Sequence, residues 1–170
     1  MRYYLLLLVG GLVACSSAND TQKTDSVELR ECEWVLQEIP DLVNLDLSNC
    51  DLRDMELTDA DFSGANLVGA NLDGANLSSS NLRFQNLVRG DMYGTNFFGA
   101  DLTGADLSKS VLASADFSFA NLSDTRLVGA YLGGADFVRA NLTNADITDA
   151  FIERADFSNA KLDGITGYYP

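Results

Sequence analysis

From Leu42 to Leu162 an apolar residue returns at every fifth position: seventeen Leu, five Phe, two Ile and Met92 fill 25 of 25 such places. A helix turns about 100° per residue and a strand about 180°, so five steps rotate these side chains by about 140° or send them to opposite faces. No straight element gathers them on one side. The places between keep the same count. Two residues before each apolar centre, 15 of 25 are Ala; one before, 20 of 25 are Asp, Asn or Glu; two after, 17 of 25 are Gly, Asn or Asp. That last set tolerates the left-handed conformation of tight corners. A chain that bends once per pentad keeps the centre and the alanine inward and turns three polar places to water.

The number of sides follows from a longer return. Phe97, Phe117, Phe137 and Phe157 lie twenty residues apart, so four pentads bring the chain back to one column and the coil is square. This pattern resembles the pentapeptide-repeat family, whose A(D/N)LXX motif forms a right-handed quadrilateral β-helix. The resemblance covers 40–164 and implies an all-β solenoid. It implies less about function, because one scaffold serves unlike tasks.

Before the repeat the chain changes character twice. MRYYLLLLVGGLVACSS has one basic residue, an apolar run and small residues before a cysteine, the layout of an export signal over 1–14. The apolar run is too short to cross a bilayer, which takes about 20 residues. Leu12-Val13-Ala14-Cys15 resembles the lipobox of bacterial lipoproteins, which implies that Cys15 carries the lipid. No Asp follows it at Ser16 or Ser17, which favours the outer membrane, with the protein facing the periplasm. Residues 15–25 read as a polar tether. Over 26–39, Cys32, Val35, Leu36 and Ile39 stand at helical spacing, Asp25 and Glu28 form a capping box, and Pro40 ends the run. This short helix is expected to cap the first coil. The tail, 165–170, leaves the repeat, and Tyr168 and Tyr169 are candidates to close the last coil.

Cys32 on the helix and Cys50 in an alanine place either pair in an oxidising compartment, which contributes about 3 kcal/mol, or remain two buried thiols. Ser80, Gln85, Gly90 and Thr95 displace alanine through one whole coil. Gln85 is too large for its place, so a local distortion is expected there.

Residues twenty apart stack outside as well. Asp106, Arg126 and Asp146 make an ion-pair ladder, of small energetic weight when exposed. Asp116, Asp136 and Asp156 make an acidic column, read either as a solvated edge or as a calcium site; no metal or cofactor is assigned. Val111, Tyr131 and Phe151 occupy places that are otherwise Asp or Asn and form an apolar stripe. The tail, a second copy or a foreign protein is each a possible cover. Phe119 beneath Arg139 suggests a cation-π pair.

The charge of −14 argues against nucleic-acid binding, and the absence of His removes the most versatile acid-base group. Ser and Thr lie at turns with no base beside them, so no catalytic site is expected. The reading is a lipid-anchored, non-enzymatic envelope module that meets an envelope protein, with a homodimer as a further possibility. The alternative comes from the family resemblance: some members act on DNA gyrase as acidic mimics of DNA. An export signal opposes that reading.

Overall fold

The computed structural model describes residues 42–168. Every bridge between backbone segments is parallel and joins residues twenty apart, from Asp46 with Asn66 to Asp146 with Thr166. Asn66 N donates to Leu45 O and Leu47 N donates to Asn66 O, both at 2.8 Å. Each side of a coil thus makes one rung and then turns. The result is a quadrilateral β-helix, as the twenty-residue return requires. We number its faces by their centres: face 1 holds Leu42, Phe62 and their successors, face 2 Leu47 and Leu67, face 3 Leu52 and Leu72, and face 4 Leu57 and Leu77.

The corners are tight turns in which the amide three residues after a centre donates to its carbonyl, as Ala65 does to Phe62 at 2.9 Å. In all 25 pentads the third turn residue, two after the centre, has positive φ, between 57° and 73°. Positive φ at that place alone is the mark of a type II turn. Eight of these places hold neither Gly, Asn nor Asp: Ser79, Phe84, Arg89, Lys109, Ser114, Phe119, Arg139 and Arg154. Each bears a left-handed penalty of about 1–2 kcal/mol, so the stacked rungs on either side dictate the corner more strongly than its own residue does.

Inside, the centres and small residues form one apolar column-work running from Leu42 to Ile147, with Ile152, Phe157, Leu162 and Ile165 partly buried beyond it. Burying each large side chain contributes about 1.5–3 kcal/mol. On face 4, Phe97, Phe117, Phe137 and Phe157 stack with ring centroids 4.8, 4.9 and 4.8 Å apart and planes within 6° of parallel. The rung spacing, about 4.8 Å, sets that distance. The four phenylalanines are one file, as their spacing in the sequence predicts.

Polar residues in the alanine places follow a rule of reach. Ser80 and Ser110 donate to the turn carbonyl of their own pentad, Leu77 O at 2.7 Å and Leu107 O at 2.5 Å. Thr95, Thr125 and Gln85 reach one coil back, to Leu72 O, Leu102 O and Phe62 O at 2.7, 2.9 and 2.8 Å. Leaving such buried groups unpaired would cost about 1–3 kcal/mol. Gln85 is satisfied, but its bulk shows next to it. Ala65, one coil back in the same column, is only partly buried, and among the described residues the one missing rung between Asp46 and Thr166 is that of Asn66 with Asn86. The distortion expected from the sequence is there.

At the far end the coil runs slightly past the expected boundary of 164. Ile165 fills an inward place, and Thr166 pairs with Asp146. Gly167 then stands where a large centre would, with φ of 77° and its Cα against the backbone of Thr148, where a Cβ does not fit. This turn sends Tyr168 across the end of the file, edge-on to Phe157 at 5.3 Å and 66°. One of the two tail tyrosines therefore closes the last coil as expected; Tyr169 lies outside the described residues. So do the export signal 1–14, the tether 15–25 and the helix predicted at 26–39. No helix occurs among the described residues, and thus none there is long and apolar enough to cross a membrane.

Candidate interaction surface

The outer columns are governed by one local bond. A carboxylate or amide just before most centres accepts the amide two residues on: Ser63 N to Asp61 Oδ1 at 2.9 Å, Thr103 N to Asp101 Oδ1 at 3.0 Å, Ser118 N to Asp116 Oδ1 at 2.8 Å. This Asx bond holds the entry to the corner and explains why the repeat asks for Asp or Asn there. The amides also link coils, as Asn81 Nδ2 does to Asp61 Oδ1 at 2.9 Å and Asn141 Nδ2 to Asn121 Oδ1 at 3.0 Å. At Ser63, Thr103 and Thr148 the hydroxyl bonds the same carboxylate, whereas the buried Ser108 hydroxyl beside Asp106 makes no such bond. Asp61 is held below its ordinary pKa by the Ser63 side chain, then by the Ser63 amide and Asn81. Asp146 is lowered by the Thr148 hydroxyl, then by the Thr148 amide, Thr166 and the charge of Arg126.

Val111, Tyr131 and Phe151 give up this bond three times in succession, in one column of face 3. Each substitution forgoes roughly 1 kcal/mol of hydrogen bonding, while the three residues still leave 36%, 50% and 58% of their surface exposed. They are successive rungs, and the Tyr131 and Phe151 rings stack at 4.8 Å and 3°. Tyr168 packs on Phe157 and not on the stripe, which stays exposed among the described residues. The ground beside the stripe is low, with Ala113 and Gly133 on one side and Gly129 on the other. Beyond it stand exposed charges, Lys109 and Asp149 at one corner and Glu153 and Arg154 at the other.

Other predicted features fall as follows. The Arg139 guanidinium lies 5.4 Å from the Phe119 ring centroid, the expected pair, and Phe98 joins them with its ring 5.3 Å from that of Phe119. In the ladder, Arg126 Nε reaches Asp106 Oδ2 at 4.0 Å, and its charge also acts on Asp146. Asp116, Asp136 and Asp156 do stack, and each turns an oxygen to its own corner at 2.8 Å, to Ser118 N, Val138 N and Ser158 N. One oxygen of each is thus engaged by its own corner, and among the described residues no group of His, Cys, Asp or Glu converges on a metal position. Cys50 is 2% exposed and disulfide-bonded; Cys15 and Cys32, the other two cysteines of the chain, lie outside the described residues.

Phe84 was not singled out by the sequence. It is 71% exposed and holds a φ of 58°. The Cδ1–Cε1 edge of its ring meets Gly104 of the next coil, where a Cβ would stand 2.6 Å from it, and the Arg83 guanidinium sits 5.3 Å from its centroid. The available signal was Gly104 itself, twenty residues on, which clears the space for the ring.

The sequence matches the profile of pentapeptide repeats, in eight copies, over residues 41–78, 56–92, 75–112, 91–127 and 120–164. No curated protein matches it. Among solved structures, the chain is similar to QnrB1, a plasmid-mediated fluoroquinolone resistance protein, at 21% identity and a TM-score of 0.40 over 74% of this chain and 80% of that one. It is similar to HetL, a pentapeptide repeat protein involved in heterocyst differentiation regulation in the cyanobacterium Nostoc sp. strain PCC 7120, at 20% identity and a TM-score of 0.36 over 87% and 100%. A pentapeptide repeat protein of the Arabidopsis thaliana thylakoid lumen is 36% identical, with a TM-score of 0.28 over 69% and 71%.

Proposed function

The chain belongs to the pentapeptide-repeat family, the right-handed quadrilateral β-helices, and from that premise we propose that it is a lipid-anchored, non-enzymatic interaction module of the bacterial cell envelope. Cys15 carries the lipid, the outer membrane holds it, and the rod faces the periplasm. The observation that carries the interaction role is the stripe. Tyr131 and Phe151 stack in the open at places where the fold itself favours Asp or Asn, so their presence answers to something outside the coil. An enzyme would need reactive groups brought together. Here the chain has no His, and most of the carboxylates just before the centres are engaged by their own turns. The bonded Cys50 favours an oxidising compartment and, with the lipobox, supports export. We assign its partner as Cys32.

A second reading, an acidic mimic of DNA that binds gyrase, draws on the charge of −14 and on the column Asp116, Asp136 and Asp156. Palmitate labelling and membrane fractionation of cells making the full chain separate the two. The first predicts label in the outer-membrane fraction that is lost with Cys15→Ala. Unlabelled wild-type protein in the cytoplasm would overturn it in favour of the second.

A further inference from the structure

We propose that face 3 is a self-complementary surface on which two copies of this chain pair antiparallel, about a twofold axis that crosses Tyr131. This rests on the reading of the stripe as a contact surface and names its occupant. The argument is one of symmetry. A twofold axis lying in the interface and perpendicular to the rod maps each vertical column onto itself and reverses its order. In the stripe, Tyr131 then meets the partner's Tyr131, and Val111 meets the partner's Phe151. A small side chain faces a large one at both ends, so the ridge of one copy fills the dip of the other.

The flanking columns respond to the same operation. At the corner of faces 2 and 3 the column reads Lys109, Gly129, Asp149. Reversed on itself, it sets Lys109 against the partner's Asp149, twice per dimer, with Gly129 leaving the axis clear. Both side chains are exposed, and neither joins any of the ion pairs formed among the described residues. At the other corner Ser114, Gly134, Arg154 sets Arg154 against the partner's Ser114. Between them, the column Ala113, Gly133, Glu153 again places a glycine on the axis, so Tyr131 has low ground on both sides.

Parallel pairing loses this match. An axis along the rod would lay one flank on the other, with Lys109 facing the partner's Ala113 and Ser114, where it meets no carboxylate, and Asp149 facing the partner's Glu153 and Arg154, charges of both signs. Charge balance also selects this face. On these three coils Lys109 and Arg154 offset Asp149 and Glu153, whereas the column on face 4 is Asp116, Asp136 and Asp156. In a chain of charge −14, a neutral face with an apolar centre is where two copies approach without repulsion.

The test uses the full chain in cells. Gly133 is not in the left-handed region, and a Cβ there meets only Glu153 O at 3.8 Å, so Gly133→Cys places a thiol beside the axis. Mild oxidation is expected to give a homodimer on non-reducing gels, absent from wild type and from Ser158→Cys on face 4. Lys109→Asp, which introduces two acidic clashes, should lower the crosslinked fraction about tenfold, and adding Asp149→Lys should restore it. These exchanges leave the fold intact, since Asp is at home at the third turn residue and Lys109 itself shows that Lys is tolerated there. A homodimer indifferent to the charge exchange overturns the proposal. Adducts with other proteins alone overturn it while sparing the interaction role, and no adduct of any kind overturns both.

Discussion

Two aromatic files run along this rod, one inside and one outside, built by the same twenty-residue return. Phe117 and Phe137 stand 4.9 Å apart inside face 4; Tyr131 and Phe151 stand 4.8 Å apart outside face 3. Spacing and near-parallel rings are shared, so ring stacking cannot be what distinguishes them. The backbone sets that geometry in either case, since any two residues twenty apart are carried to the rung spacing. What differs is water. Phe117 and Phe137 are 0% exposed, Tyr131 and Phe151 50% and 58%. The inner file is held by burial, while the outer one displaces a hydrogen bond that the repeat otherwise makes.

Truncation should therefore separate the files by several kcal/mol. Phe117→Ala leaves a void between two rings that the rungs keep from closing, and should cost about 3–5 kcal/mol. For a chain of this size that lowers the unfolding temperature by roughly 8–15 °C, read by thermal unfolding followed by circular dichroism. Phe117→Leu, the usual centre residue, should cost well under half as much, about 1 kcal/mol. If both substitutions cost the same, stacking and not volume holds the inner file.

On the outer file the expectation changes sign. Tyr131→Asn removes half-exposed stacking and supplies an oxygen to accept Gly133 N, as Asn121 Oδ1 accepts Ser123 N at 3.3 Å. The net change in stability should be neutral to stabilising, within about 1 kcal/mol. In the same variant the Gly133→Cys crosslink should disappear. A variant that loses several kcal/mol would show that Tyr131 serves the coil and not a contact.

The sequence made the rod legible because each rung repeats the same demand. Leu or Phe at the centre, Ala two places before and a left-handed residue two places after are local needs of the corner, and the Phe97 to Phe157 file adds the number of sides. The open stripe was legible too, because Val111, Tyr131 and Phe151 break the Asp/Asn place and an outward place leaves no room for a core explanation. Phe84 was not, since an aromatic at a left-handed corner contradicts local preference and is accommodated only by Gly104 a coil away. The acceptor of Gln85 was hidden for a similar reason. Phe62 O is 23 residues distant in sequence and adjacent only once the coil has closed. Nor does composition indicate that Gly167 would redirect the chain to lay Tyr168 on Phe157.

The smallest expected effect concerns charge in the Asx column, set against its loss in the stripe. Asp146 has its pKa lowered, first by the Thr148 hydroxyl and then by the Thr148 amide, Thr166 and Arg126. In the unfolded chain those partners are gone and the carboxyl titrates near 3.9. The unfolded state thus takes up its proton first as pH falls. The stabilisation from this charge is fully present above that value and is lost as pH falls through the depressed folded value. Asp146→Asn keeps an acceptor for Thr148 N but removes the charge. Wild type should be the more stable by a small margin at pH 7, and the margin should close in urea unfolding at pH 3. Tyr131→Asn carries no such charge in either state, so its effect should be the same at both pH values. A margin for Asp146→Asn that persisted undiminished at pH 3 would assign the column's contribution to neutral hydrogen bonds alone.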